Sequence, residues 1–307
     1  MSVALLFPGQ GSQFVGMGRD LAEAFPQAAE VFQEADDLLG FGLSRLAWAG
    51  PEEELTLTKN AQPALLVHSM AVYRVIGEEL GPVAMAAGHS LGEFSAHVAA
   101  GTLSFEDALR AVRLRGELMF AAGIERPGTM AALLGLQDEA AEEVCRVVRE
   151  KGWICVPANY NSPGQIVISG EVAGIEEAMT LAKEAGAKRS VQLTVSGAFH
   201  SPLMAPAKAG LRDRLEEMNF SDPRFPVVSN VTAGPALRGS EARELLVEQL
   251  TAPVRWAASI ERMVEEGVER FFELGSGSVL CGLNKRNAKG LPCSSLGGPS
   301  DFDVVGR

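Results

Sequence analysis

The stretch Val83-Ala84-Met85-Ala86-Ala87-Gly88-His89-Ser90-Leu91-Gly92-Glu93 decides the fold. Residues 83–87 are a short apolar run after Pro82, the pattern of a buried strand. Residues 94–100 continue as a helix. Gly-x-Ser-x-Gly between a strand and a helix is a nucleophile elbow. The turn is so sharp that the serine is held in a strained backbone conformation. A Cβ at Gly88 or Gly92 would crowd the neighbouring strand or helix. The Ser90 hydroxyl is thereby presented at a helix N-terminus, where free N–H groups favour developing negative charge.

Working outward, Val3–Phe7 is a second buried apolar strand. The loop Pro8-Gly9-Gln10-Gly11-Ser12-Gln13 follows it. It is not a dinucleotide fingerprint, because Phe14 stands where the third glycine would be. Such a loop at a strand end can offer backbone N–H groups, and Gln10 is the candidate donor. Helices fit residues 18–25, 27–39 and 64–80, the last with Pro63 in its first turn.

The next helix, after residues 94–100, is expected to start at a Ser104 cap with Asp107 three residues on. On its wheel Glu106, Arg110, Arg113 and Glu117 share a polar arc. Ala108, Ala111, Val112 and Met119 form the opposite, apolar arc, and Arg115 sits in its middle. A buried guanidinium needs a partner or costs several kcal/mol. Two readings follow: a structural pair with a buried acid, or an anion site for a substrate carboxylate, which a guanidinium holds bidentately.

Residues 129–195 change pattern. Strands at 129–135, 153–158, 165–169 and 189–195 and helices at 138–151 and 172–185 give the order βαββαβ, the ferredoxin-like motif. The expected fold is therefore α/β. A large α/β-hydrolase-like domain with a mainly parallel sheet occupies residues 1–125 and 197–290, and a small ferredoxin-like domain occupies 126–196. In the returning segment, helices fit 201–218, 241–250 and 257–266, strands fit 226–229 and 270–273, and a glycine-rich turn into a short helix spans 275–285. Residues 291–307, rich in Gly, Ser, Pro and Asp, are expected to form a loose tail.

Composition narrows the classes of function. A hydrophobic fraction of 47% supplies a real core, and a net charge of −12 argues against nucleic acid or an anionic membrane as partner. Cys145, Cys155, Cys281 and Cys293 lack metal-ligand spacing, so no metal is expected; read as scattered free thiols, they suit a reducing cytoplasm. Residues 1–7 lack a positive n-region, which argues against a signal peptide.

A nucleophilic serine needs a base, and the chain has four histidines. His89 adjoins Ser90 and must point elsewhere. His68 and His97 lie within helical patterns and read as core or surface residues. His200 follows the last strand of the small domain, in Ser196-Gly197-Ala198-Phe199-His200-Ser201-Pro202, at an inter-domain crossing where loops deliver catalytic groups. It is assigned as the base, although spacing alone does not settle the choice.

Taken together, Phe7-Pro8-Gly9-Gln10-Gly11-Ser12-Gln13, Gly88-His89-Ser90-Leu91-Gly92-Glu93, Arg115-Gly116, Asn161-Ser162-Pro163-Gly164-Gln165, His200-Ser201-Pro202 and Gln249 before Pro253-Val254 resemble the malonyl-CoA:acyl carrier protein transacylase family. The resemblance runs from Phe7 to about Asn287 and extends to the acyltransferase domains of polyketide and fatty acid synthases. It implies a Ser90–His200 dyad without a triad aspartate, with a backbone carbonyl near Gln249 orienting the imidazole. Gln10 and Leu91 would supply the oxyanion-hole N–H groups, and Arg115 would hold the malonyl carboxylate. Phe199 before His200 resembles malonyl-selective rather than methylmalonyl-selective members. No cofactor is implied.

The implied partners are malonyl-CoA and acyl carrier protein. An acidic carrier meeting an acidic chain needs a local basic patch, for which Lys188, Arg189, Lys285 and Arg286 are the candidates. A cytoplasmic monomer is expected. A serine hydrolase or thioesterase would share the elbow and histidine but has no need for Arg115 on an apolar face. A non-catalytic carrier-binding protein would need none of these groups.

Overall fold

The computed structural model describes residues 2–305. In chain order the elements are β1 Val3–Phe7, α1 Arg19–Ala24, α2 Pro26–Leu39, α3 Leu43–Ala49, α4 Glu52–Thr56, α5 Thr58–Ile76, β2 Val83–Gly88, α6 Gly92–Ala99 and α7 Phe105–Glu125. Then come β3 Gly128–Leu134, α8 Asp138–Glu150, β4 Cys155–Ser162, β5 Gln165–Glu171, α9 Val172–Glu184 and β6 Arg189–Gln192. The chain closes with α10 Ala205–Glu216, β7 Val227–Val228, β8 Pro235–Ala236, α11 Gly239–Glu248, α12 Trp256–Glu265, β9 Arg270–Leu274, α13 Val279–Asn287 and β10 Cys293–Leu296.

Among the described residues ten strands form two sheets. The larger runs β10-β9-β1-β2-β7-β8 and is parallel except for β8. Its middle strand explains why β1 is apolar throughout. Val3, Leu5 and Phe7 enter the main core, while Ala4 and Leu6 enter a second core on the other face with Trp256 and Phe271. Successive side chains point to opposite faces, so burial on both demands a continuous apolar run.

The smaller sheet runs β4-β5-β3-β6 and is antiparallel throughout. Ala131, Leu133, Ile166 and Ile168 meet Val144 of α8 and Ile175 of α9 in a third core. The βαββαβ order expected from the sequence is thus present, although β6 stops at Gln192, short of residue 195.

Several expectations need correction. α5 begins at Thr58, six residues ahead of the expected start, and carries Pro63 in its interior. A proline there leaves the carbonyl four residues back without its helical donor. That carbonyl belongs to Lys59, and Arg113 Nη1 donates to it at 2.9 Å. α3 and α4 were not expected; the second is mostly glutamate and carries no apolar period to read. Residues 291–305 are not a loose tail: β10 pairs with β9, and Phe302 packs on Phe25 at 5.7 Å between ring centroids. The reading of four free thiols also fails. Cys281 and Cys293 form a disulfide, and only Cys145 and Cys155, both buried, are free.

Candidate active site

The elbow is built as the glycine spacing requires. A Cβ on Gly88 would lie 1.8 Å from the carbonyl carbon of Gly92, and one on Gly92 would lie 2.1 Å from the carbonyl oxygen of Phe7. Ser90 has φ 51°, the left-handed region that non-glycine residues rarely adopt. Asn230 holds it there: its Oδ1 accepts from the Ser90 backbone N–H at 2.7 Å, and its Nδ2 donates to the Gly88 carbonyl at 2.7 Å. Asn230 is buried and follows the two-residue strand β7.

His200 reaches Ser90 from the other side of the cleft, with Nε2 2.8 Å from Oγ. Its own backbone is left-handed, φ 57°. Nδ1 faces two carbonyl oxygens, Gln249 at 2.9 Å and Ala252 at 3.2 Å. Carbonyls only accept, so the proton sits on Nδ1 and the Nε2 lone pair points at the serine hydroxyl. Burial, reinforced by the nearby Arg115 charge, pushes the imidazole pKa down to about 3. The ring is therefore neutral, as a base must be.

Arg115 is fully buried, as its place on the wheel of α7 implied. The polar arc is also as expected, with Arg110 paired to Glu106 and Arg113 to Glu117. Among the described residues no carboxylate touches the Arg115 guanidinium. Nη1 donates to Gln62 Oε1 at 2.7 Å, and Nη2 donates to Gln249 Oε1 at 2.9 Å and to Ser90 Oγ at 3.1 Å. Burial lowers its pKa to about 10, opposed by Glu93. A buried cation held by neutral groups beside Ser90 retains the capacity to pair with an anion.

A cavity of ≈ 360 Å³ opens beside these groups. Gln10, Leu91, Ser90 and His200 lie on its reactive side, and Met130, Leu193 and Phe199 supply apolar surface. Arg115 stands one hydrogen bond behind the wall, touching Gln62 and Ser90. Among the described residues neither the Gln10 nor the Leu91 backbone N–H donates to a protein acceptor, which leaves both available to an oxyanion.

The structure thus brings Ser90, His200, Arg115, Gln249, Gln10 and Leu91 to one place. The basic candidates lie elsewhere, exposed at one end of the small sheet. Arg189 and Gln165 both face Leu134 across neighbouring strands, and Arg286 Nη1 lies 3.3 Å from Gln165 Oε1. His89 does point away from Ser90's partners, with Nε2 2.8 Å from Asn161 Oδ1, yet it still lines the cavity. His68 and His97 are buried. The sequence reading missed Gln62, Glu93 and Asn230 as site residues. Glu93 closes the elbow hexapeptide, so a carboxylate directly after an elbow glycine was the available signal.

The acyl transferase domain family matches residues 4–297 of the chain. The malonyl CoA-acyl carrier protein transacylase of Bacillus subtilis is 48% identical over 303 residues, covering 99% of this chain and 96% of that one. The Escherichia coli enzyme of the same name is 46% identical over 298 residues, covering 97% and 96%. Among solved structures, a malonyl-transacylase in complex with its type II PKS acyl-carrier protein superposes with a TM-score of 0.96 at 44% identity, covering 99% of each chain. An acyl carrier protein S-malonyltransferase from Vibrio cholerae gives 0.95 at 43%, covering 99% of this chain and 100% of that one. The chain belongs to the malonyl CoA-acyl carrier protein transacylase family.

Proposed function

We propose that this chain moves a malonyl group from malonyl-CoA to the phosphopantetheine thiol of acyl carrier protein through a malonyl-Ser90 intermediate. The observation that carries this reading is the position of Ser90 Oγ, 2.8 Å from His200 Nε2 and 3.1 Å from Arg115 Nη2. One hydroxyl is within reach of a base and of a cation at once. The acyl chain it accepts is therefore one that ends in a carboxylate.

The steps follow from the donors and acceptors. Ser90 Oγ attacks the thioester carbonyl as His200 Nε2 takes its proton. The tetrahedral oxyanion is held by the Gln10 and Leu91 N–H groups, each worth roughly 3 kcal/mol in comparable sites. The developing imidazolium is steadied by the Gln249 and Ala252 carbonyls. His200 then protonates the departing CoA thiolate. The carrier thiol enters and the sequence runs in reverse, which makes the kinetics ping-pong. Arg115 meets the malonyl carboxylate throughout. An acetyl group would leave that guanidinium without its anion, an unfavourable state that discriminates between the two. Phe199 in the cavity wall favours malonyl over methylmalonyl.

The catalytic unit in this reading comprises residues 1–125 and 197–290, with 126–196 as the inserted unit. The chain acts in the cytoplasm as a monomer in fatty acid or polyketide chain extension. The carrier docks on the basic end marked by Lys188, Arg189, Lys285 and Arg286.

Isotopically labelled malonyl-CoA with and without carrier protein tests this. The expected result is a stable enzyme-bound label that passes to the carrier on mixing. Rapid release of free malonate without carrier would instead indicate a hydrolase of the same elbow chemistry.

A further inference from the structure

Glu93 is a buried carboxylate that the reaction above does not use. It is the second residue of α6, and its side chain lies within the polar cluster behind Ser90. Its Oε2 accepts from Gln249 Nε2 at 2.7 Å and from the Asn230 backbone N–H at 3.1 Å. Its Oε1 has no partner among the described residues. The Gln249 amide spans the gap to Arg115, giving its N–H to Glu93 and taking the guanidinium N–H on its oxygen. Glu93 and Arg115 therefore form a counter-ion pair with one neutral amide between them.

Charge counting gives this arrangement a consequence. The empty site holds one buried cation and one buried anion. A malonyl group on Ser90 brings a second carboxylate to the same guanidinium. Two anions would then share one cation among buried side chains, and low-dielectric surroundings make the excess charge expensive. An acetyl group brings no such charge.

We propose that Glu93 binds a proton from solvent when the malonyl carboxylate docks on Arg115, so that the loaded site stays electrically balanced. The inference rests on the malonyl-Ser90 reading. The acylation itself is proton-neutral: the Ser90 O–C bond forms, the C–S bond breaks, and the serine proton passes through His200 to the CoA sulfur. The proton taken by Glu93 is additional, and Oε1 can carry it without surrendering an existing hydrogen bond.

The surroundings permit this. Among the described residues, Arg115 on α7 is the charged group that acts on Glu93. Ser229, Asn230 and Gln249 present neutral dipoles, and burial keeps His200 and His89 uncharged. Burial lifts the Glu93 pKa to about 7 in the empty site, so a modest further push suffices near neutrality. By linkage, acid then favours malonyl loading and leaves acetyl loading unaffected.

Stopped-flow with an indicator dye in weak buffer at pH 7.5 reads the proton directly, with Ser90 acylation quantified by mass spectrometry in the same samples. Malonyl-CoA is expected to draw up to about one proton per Ser90 acylated, beyond the signal from acetyl-CoA, which controls for CoA binding and release. In Glu93→Gln the extra uptake disappears, because the amide oxygen can keep both acceptor bonds while the group no longer titrates. The malonyl-CoA KM of the natural chain rises as pH climbs past about 7, and that of the variant stays flat. Malonylation with no uptake beyond the acetyl control overturns the inference and leaves the proposed function standing, and so does uptake that persists in Glu93→Gln. Absence of any malonyl-Ser90 overturns the proposed function itself. Should the variant not fold, the malonyl-against-acetyl comparison on the natural chain still decides.

Discussion

The elbow and the cavity wall supplied by the smaller sheet are built by different means. At the elbow the chain is held by backbone contacts: Gly88 and Gly92 leave less than 2.5 Å for a Cβ, and Asn230 fixes the peptide groups on either side of the turn. The wall beyond it is made of side chains such as Met130 from β3 and Leu193 after β6. Backbone sterics set where the reacting oxygen stands, and a change of one methyl group there has nowhere to go. Apolar side chains shape the space beside it and can adapt.

The largest expected effect tests the rigid half. Gly92→Ala should abolish transfer and lower the yield of folded protein, because its Cβ meets Phe7 O at the end of β1. Near-normal activity and thermal stability would mean that the elbow has slack. Arg115→Ala comes next: kcat/KM for malonyl-CoA should fall roughly 100-fold or more, with acetyl-CoA unaffected or improved. Competition between the two substrates measures it, and an unchanged preference removes Arg115 from carboxylate recognition.

Acid separates the two halves by stability. All four histidines lie outside residues 126–196, and burial lowers the pKa of each. The unfolded chain therefore binds protons that the folded chain refuses. Stability is full above the unfolded value of 6.5 and falls with pH below it, by up to about 1.4 kcal/mol per pH unit for each histidine. Glu93 and Glu273, whose pKa values are raised by burial, oppose this in part. Hydrogen exchange at pH 5 should show the larger sheet losing protection before the smaller one. The reverse order would contradict the assignment of neutral, buried imidazoles.

Two smaller effects probe the outer parts. Reversing Lys285 and Arg286 to glutamate should raise KM for the carrier roughly tenfold and leave the malonyl-CoA half-reaction alone. Equal effects on both substrates would place the docking surface elsewhere. Leu193→Ala should change malonyl transfer by less than about tenfold, since an apolar wall discriminates weakly. A larger loss would show that the wall positions the acyl group as strictly as the elbow does.

Much of the site was legible because it is encoded locally. Glycine spacing around Ser90, a charge in the apolar arc of α7 and the βαββαβ order are all patterns within short windows. Gln62, Glu93 and Asn230 were not legible as a group. They come from α5, α6 and the turn after β7, and only the assembled fold shows that they share one buried cluster. The start of α5 escaped for a similar reason. A proline is favoured in the first turn of a helix, and the Arg113 donor that satisfies Lys59 O comes from α7. The Cys281–Cys293 disulfide depends on β10 joining the edge of the larger sheet, in a stretch whose composition reads as loose.

The central claim is that one hydroxyl takes the acyl group while a neighbouring imidazole and guanidinium serve it. Peptide mapping by mass spectrometry after exposure to malonyl-CoA tests this most directly. The account predicts a malonyl adduct on the peptide carrying Ser90, absent in Ser90→Ala and formed far more slowly in His200→Ala. An adduct on any other residue, or an undiminished one in Ser90→Ala, would contradict it.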